Sequence, residues 1–64
     1  MSFNKLNTLF DELQDAVNDC QTYVTKFVEG NNSAGTRVRK AMQAVKSLAQ
    51  ELRIEVQDQK NRQF

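Results

Sequence analysis

Apolar residues recur through the first half of the chain at intervals of three and four residues without a break. The series is Phe3, Leu6, Phe10, Leu13, Val17, Cys20, Val24 and Phe27. Because these intervals bracket the 3.6-residue turn of an α-helix, the spacing places all of them on one side of a helix and is typical of a coiled-coil seam. A neighbouring row widens the apolar side, which predicts more than one packing neighbour. That row is Leu9, Ala16 and Tyr23.

The second half of the chain continues the same alternation until Glu55 interrupts it. Its seam residues are Ala34, Val38, Ala41, Val45, Leu48 and Leu52. A second row follows at seven-residue intervals, namely Gly35, Met42, Ala49 and Val56. Most of these side chains are small, and small side chains favour a close approach of two helices. Gly35 is expected either at such a crossing or at the start of the second helix.

Gly30 lies between the two apolar patterns. A glycine in the left-handed conformation commonly ends a helix, and Asn31 or Ser33 can cap the next one, as Ser2 or Asn4 can cap the first. We therefore predict a single all-α domain over residues 1–64, with helix 1 at about 3–29, a turn at 30–31 and helix 2 at about 32–60. The tight turn makes the pair an antiparallel hairpin, and the polar segment 57–64 is expected to fray.

A hairpin of 64 residues buries little apolar surface, and a core of this size supplies only about 3–5 kcal/mol. The single Cys20 cannot form an intrachain disulfide, and the absence of histidine leaves no zinc ligand set. Self-association remains, so we predict a dimeric four-helix bundle or a larger homo-oligomer. Cys20 itself lies on the seam and is interpreted as a buried small apolar residue.

The composition argues against several classes of function. Without histidine or a glycine-rich phosphate loop, the sequence offers no catalytic machinery and no cofactor, metal or small-molecule substrate site. No apolar run approaches the roughly 18 residues of a membrane span, and the N-terminus lacks a signal-peptide pattern, so we expect an intracellular protein without a membrane partner. The charges divide unevenly: residues 1–30 are acidic on balance, whereas residues 31–64 are basic on balance. Such asymmetry favours contact with nucleic acid or another acidic surface.

The basic residues of helix 2 form a row at one heptad position. The row is Arg39, Lys46, Arg53 and Lys60, hereafter the basic stripe. A line of cations about 31 Å long can follow a phosphate backbone. Thr36, Arg37 and Lys40 add a hydroxyl and further cations near the helix N-terminus, where free backbone amides and the helix dipole attract anions. The alternatives are an ordinary solvated coiled-coil face and cations neutralised by the acidic residues of a partner chain.

The segment Gly30–Ala41, with the sequence GNNSAGTRVRKA, resembles the turn and basic helix start of the chlamydial-type, linker-histone-like bacterial DNA-binding family, and Leu48–Arg53 resembles a later element of it. This resemblance implies a non-enzymatic, nucleoid-associated protein of a bacterial or phage-infected cytoplasm that compacts double-stranded DNA without sequence preference. It assigns DNA contacts to Thr36, Arg37, Arg39, Lys40 and Arg53. Many relatives also carry a Lys- and Ala-rich tail, and residues 57–64 do not resemble one, so the resemblance alone does not imply tight compaction.

Two other functions fit the same pattern. A helical assembly module, binding partner helices through residues such as Ile54 and Val56, would tolerate charge reversal in the basic stripe. An RNA-binding hairpin would use the same cations and is distinguished by comparing duplex DNA with RNA. We take histone-like DNA binding as the leading hypothesis.

Overall fold

The structure is a computed structural model that describes residues 4–63, so the apolar positions predicted at Phe3 and Phe64 and the alternative cap Ser2 lie outside the described residues. Helix α1 runs from Lys5 to Val28 and helix α2 from Asn32 to Gln63. The two helices pack along each other as an antiparallel hairpin measuring 52 × 22 × 11 Å. The smallest dimension is the diameter of one helix, so the hairpin is a single helical layer. The predicted all-helical architecture with two packed helices is confirmed.

Helix α1 has a specific cap at each end. Its first turn is capped by Asn4, whose side-chain oxygen accepts a hydrogen bond from the Leu6 amide at 2.9 Å. At its last turn the Gly30 amide donates to the Phe27 carbonyl and the Asn31 amide donates to the Lys26 carbonyl, each at 3.0 Å. This pair of bonds is a Schellman motif, which requires a left-handed residue. Gly30 supplies it with φ 108°, as the sequence predicted.

Replacement of Gly30 by alanine is expected to destabilise the hairpin. A Cβ at a positive φ costs roughly 1–2 kcal/mol because it crowds the following carbonyl. No atom of residues 4–63 lies within 4 Å of the added Cβ, so the loss of stability measures backbone strain rather than a steric clash. Thermal melts of Gly30→Ala and Gly30→Asn should show a smaller loss of stability for the asparagine variant, because asparagine tolerates left-handed backbone better than alanine does. Equal stability of the alanine variant and the parent protein would contradict this account.

Helix α2 extends past the predicted end near residue 60, and the polar segment stays helical to Gln63. Residues 57–63 thus continue the helix in the segment where the sequence predicted fraying. Polar contacts explain the extension. Gln59 Nε2 donates to Asn4 Oδ1 at 2.9 Å and to Glu55 Oε2 at 3.0 Å, while Arg62 Nη2 donates to the same Glu55 oxygen at 3.1 Å. These bonds tie the end of α2 to the start of α1, beyond the last apolar seam residue.

The interface between the helices uses only part of the apolar side of α1. Its buried centre consists of Leu9 (6% exposed), Cys20 (3%) and Ala34 (3%). Residues around this centre are half-buried, and on α1 they are Leu6, Leu13, Ala16 and Tyr23. Phe10, Val17 and Val24, which belong to the predicted seam, instead remain exposed. One partner helix therefore covers only one half of the broad apolar side of α1.

Gly35 lies within α2, where it permits a close contact with α1. A Cβ at this position would approach the Phe27 ring to 2.7 Å at Cε1 and 2.8 Å at Cδ1. Atoms of that size do not fit at such distances, so the flat ring of Phe27 rests on the bare backbone of Gly35. The structure therefore places Gly35 at a close contact between the helices, and the alternative that the helix begins at Gly35 is wrong, because α2 begins at Asn32.

Candidate nucleic-acid interface

The basic stripe lies on the outward side of α2. Its four side chains are all exposed, and their seven-residue spacing places them about 10 Å apart along the helix. Within the described residues none of the four forms an ion pair. These cations are therefore free to pair with phosphates, and doing so requires no internal salt bridge to break.

Uncharged polar side chains lie next to the basic stripe. Gln43, Ser47 and Gln50 line a shallow surface depression together with Lys46 and Arg53. Amide and hydroxyl groups are common donors to phosphate oxygens, which they contact without reading the base sequence. Glu51 also borders this depression, which weakens the positive potential on that side. The favourable surface is therefore the stripe with its flanking amides, rather than the whole circumference of the helix.

The cluster predicted at the start of α2 is spread around the helix. Thr36, Arg37 and Lys40 are exposed, as Arg39 is. Arg37 places its guanidinium carbon 5.6 Å from the centre of the Tyr23 ring, a cation–π contact on one side of the hairpin. Arg39 instead lines a depression with Phe27 and Gly35 on the other side. The structure thus brings Arg39 together with the other stripe residues and separates it from Arg37.

The N-terminus of α2 is already capped. The side-chain oxygen of Asn31 accepts hydrogen bonds from the Ser33 amide at 3.1 Å, the Ala34 amide at 3.4 Å and the Ser33 hydroxyl at 2.7 Å. The sequence predicted that free amides at this end would attract a phosphate. Two of those amides bind the side chain of Asn31, so fewer of them are available to an anion, and phosphate binding at this end stays a prediction.

Arg62, near the end of α2, does not belong to the row of free cations. It is paired with Glu55, whose side chain is 13% exposed. The hydrogen bond from Gln59 holds the pKa of Glu55 below its ordinary value of 4.5, and Lys5 and Arg62 lower it further against the raising effect of burial. Glu55 is therefore ionised at neutral pH and forms an ion pair with Arg62. Lys60 lies five residues after Glu55 and makes no ion pair within the described residues.

Sequence reasoning did not foresee the contact between Arg37 and Tyr23. Both residues are visible in the sequence, but their meeting depends on how far each helix is rotated about its own axis. No spacing within one helix carries that information. The contact nevertheless matters for the candidate nucleic-acid interface, because it holds Arg37 against α1 and away from the basic stripe.

Comparison with models of known protein families gave a match over most of the chain. A family model described as Histone H1-like protein Hc1 matches residues 7–62. The matched region covers nearly all of both helices, the turn between them and every candidate residue from Thr36 to Lys60. Neither the curated proteins nor the solved structures yielded a match. Within the described residues, neither helix has a stretch that is long and apolar enough to cross a membrane.

Proposed function

The chain belongs to the histone H1-like Hc1 family, and from that premise we propose that it binds duplex DNA through the phosphate backbone, without enzymatic activity. The observation that supports this proposal is the exposed basic stripe along α2, which forms no ion pair with the residues that the structure describes. Cations on the outside of a straight helix neutralise phosphates and release counterions, which gives affinity for any sequence. Base readout would need a recognition element in a groove, and the hairpin resembles none of the known groove-binding motifs.

The proposed DNA-binding residues are those predicted from the sequence, now in two groups. The basic stripe provides the principal contacts. Thr36, Arg37 and Lys40 surround the start of α2 and contact phosphates that pass over that end. Arg37 is exposed, so it can contact a phosphate while it keeps its cation–π contact with Tyr23.

The proposed cellular role is the organisation or compaction of DNA in the nucleoid of a bacterial cytoplasm or of a phage-infected host. One cation per roughly 10 Å is sparse compared with about one phosphate per 1.7 Å of duplex axis. A single hairpin therefore binds weakly. Compaction consequently needs at least a homodimer, because linked weak sites bind with an avidity that exceeds either alone.

A salt series with the unmodified protein tests the proposal. Affinity for a duplex of about 25 base pairs should fall linearly with salt on logarithmic axes, with a slope of about −3 to −4 if the four stripe cations each neutralise one phosphate. Duplexes of unrelated sequence should give the same affinity within about threefold. Duplex RNA is the second arm, and tighter binding to RNA would favour the RNA-binding hypothesis. Absence of any DNA binding at about 50 mM salt would refute the proposed function and favour an assembly module.

A further inference from the structure

One broad side of the hairpin is apolar and has no partner within the described residues. On α1 it carries Phe10, Val17, Val24 and Phe27, and on α2 it carries Gly35, Met42, Ala49 and Val56. Its large side chains are between 42% and 51% exposed. We call this surface the apolar face. Exposed apolar area of this extent on a small protein marks an interaction site.

Both helices contribute to the same side, as two observations establish. The Phe27 ring rests on Gly35, so these two rows meet across the seam. Val24 lies one helical turn before Phe27, and seven-residue spacing continues from Val24 to Val17 and Phe10 on α1. On α2 the same spacing continues from Gly35 to Met42, Ala49 and Val56. The opposite broad side carries the contact of Arg37 with Tyr23, and helical spacing adds charged residues of both signs there. Those residues include Glu12, Asp19, Lys26, Glu51 and Asp58. The hairpin is therefore apolar on one side and charged on the other.

The dimensions of the hairpin fit a second copy of the chain as the occupant. The molecule is one helix thick, 11 Å, and its broad side measures 52 × 22 Å. That side exceeds the roughly 800 Å² that each partner buries in a standard stable interface. A second hairpin is equally long and equally apolar on this side, so a twofold pairing covers both copies and completes a four-helix bundle.

The charges beside the apolar face argue against a lipid surface as the occupant. A surface that lies on an anionic membrane is rich in Lys and Arg across its polar residues. Here only the α2 flank is basic, through the basic stripe. The α1 flank is neutral or acidic, since helical spacing places Asn7, Gln14, Gln21 and Asp11 there. When two such faces pair, the basic flank of each copy can lie beside the neutral or acidic flank of the other, so the charges of the two copies are complementary.

Two apolar faces can pair either with α2 on α2 of the partner subunit or with α2 on its α1. The difference in charge between the two flanks favours one of these arrangements. If α2 lay on α2 of the partner subunit, the two basic stripes would meet edge to edge and repel each other. If α1 of the partner subunit lies on α2, each stripe meets a polar flank. The contacts of Asn4 with Gln59 and of Phe27 with Gly35 fix the register of the hairpin. In that register Asp11 of the partner subunit lies within about one helical turn of Arg53.

We propose that a second copy covers the apolar face with its first helix against α2, so that the two basic stripes lie on opposite edges of a four-helix bundle and the dimer bridges two DNA duplexes. This inference rests on the proposed function, because the stripes are its DNA-binding surfaces. It adds a geometric consequence: each duplex contacts one stripe, and the bundle holds the duplexes apart. A dimer with α2 on α2 would instead present both stripes to one duplex.

Thiol cross-linking tests the pairing independently of DNA. In a Cys20→Ala background, the variant Asp11→Cys/Arg53→Cys should form a covalent dimer with a short bifunctional maleimide. Within one chain the two positions lie on opposite outer edges of the hairpin, so the cross-link joins two subunits. The matched variant Lys46→Cys/Arg53→Cys carries the same number of thiols and should remain uncross-linked between subunits. The reverse pattern, or a monomeric mass in light scattering, would overturn the proposal.

A duplex-capture assay tests the bridge. Beads carrying one duplex should retain a second, labelled duplex in the presence of the protein, and the salt slope for binding one duplex should stay near −4 rather than about −7. Val17→Asp, at a position 45% exposed in the hairpin, should abolish capture while preserving binding of a single duplex. Single-duplex binding without capture by the parent protein overturns the bridge alone, whereas loss of all DNA binding overturns the proposed function as well. Monomeric protein bound to phosphatidylglycerol vesicles would assign the apolar face to lipid and overturn the proposal.

Discussion

Reversal of three charges in the basic stripe, in the variant Arg39→Glu/Lys46→Glu/Arg53→Glu, is expected to abolish duplex-DNA binding at about 50 mM salt. Each phosphate contact contributes a factor of roughly 15 in affinity at that salt concentration through counterion release. Loss of three contacts lowers the affinity by a factor of roughly 3,000, and the new carboxylates add repulsion. The side chains are exposed and make no ion pair within the described residues, so the helices should persist. Fluorescence anisotropy with a labelled duplex measures the loss, and far-ultraviolet circular dichroism measures helix content.

A matched pair of neutral variants separates position from net charge. Arg39→Gln/Lys46→Gln/Arg53→Gln removes three stripe charges, whereas Lys5→Gln/Lys26→Gln/Arg62→Gln removes the three cations that lie outside the proposed set. The first variant should lower the salt slope by about 3, and the second should change affinity by less than about threefold. Equal losses in the two variants would show that overall charge, and not the stripe, governs binding.

Truncation of Leu9 to alanine is expected to unfold most of the protein at 37 °C. Leu9 is the largest of the buried side chains among the described residues and is 6% exposed. Such truncations in a core cost about 2–5 kcal/mol, and a core of this size supplies only about 3–5 kcal/mol in total. The loss therefore approaches the whole stability of the hairpin. Thermal and urea melts followed by circular dichroism at one fixed protein concentration measure it.

Val28→Ala is the control for this experiment, because Val28 is 79% exposed and contributes no buried contact. Its free energy of unfolding should differ from that of the parent protein by less than about 0.5 kcal/mol. Melts repeated at higher concentration should shift upward in the parent protein if dimerisation supplies part of the stability. A Leu9→Ala variant with the melt of the parent protein would contradict the placement of the core at this residue.

The sequence alone determined the features that depend on the geometry of one helix. Backbone hydrogen bonding fixes the helical period, so the seven-residue spacing of Arg39, Lys46 and Arg53 places them on one line whatever α2 packs against. The end of α1 shortly before Gly30 was equally local, because a positive φ favours glycine. The broad apolar side of α1 was also visible, and with it the expectation of more than one neighbour.

Only the tertiary structure decided how the two helices face each other. Spacing could not tell which half of the apolar side of α1 would meet α2, and packing selected the half containing Leu9 and Cys20 while leaving Phe10 exposed. The same rotation placed Arg37 on Tyr23 and Phe27 on Gly35. The physical reason is that each helix can turn about its axis without altering its own hydrogen bonds. That angle is therefore fixed by contacts with the other helix, which no periodicity within a single helix encodes.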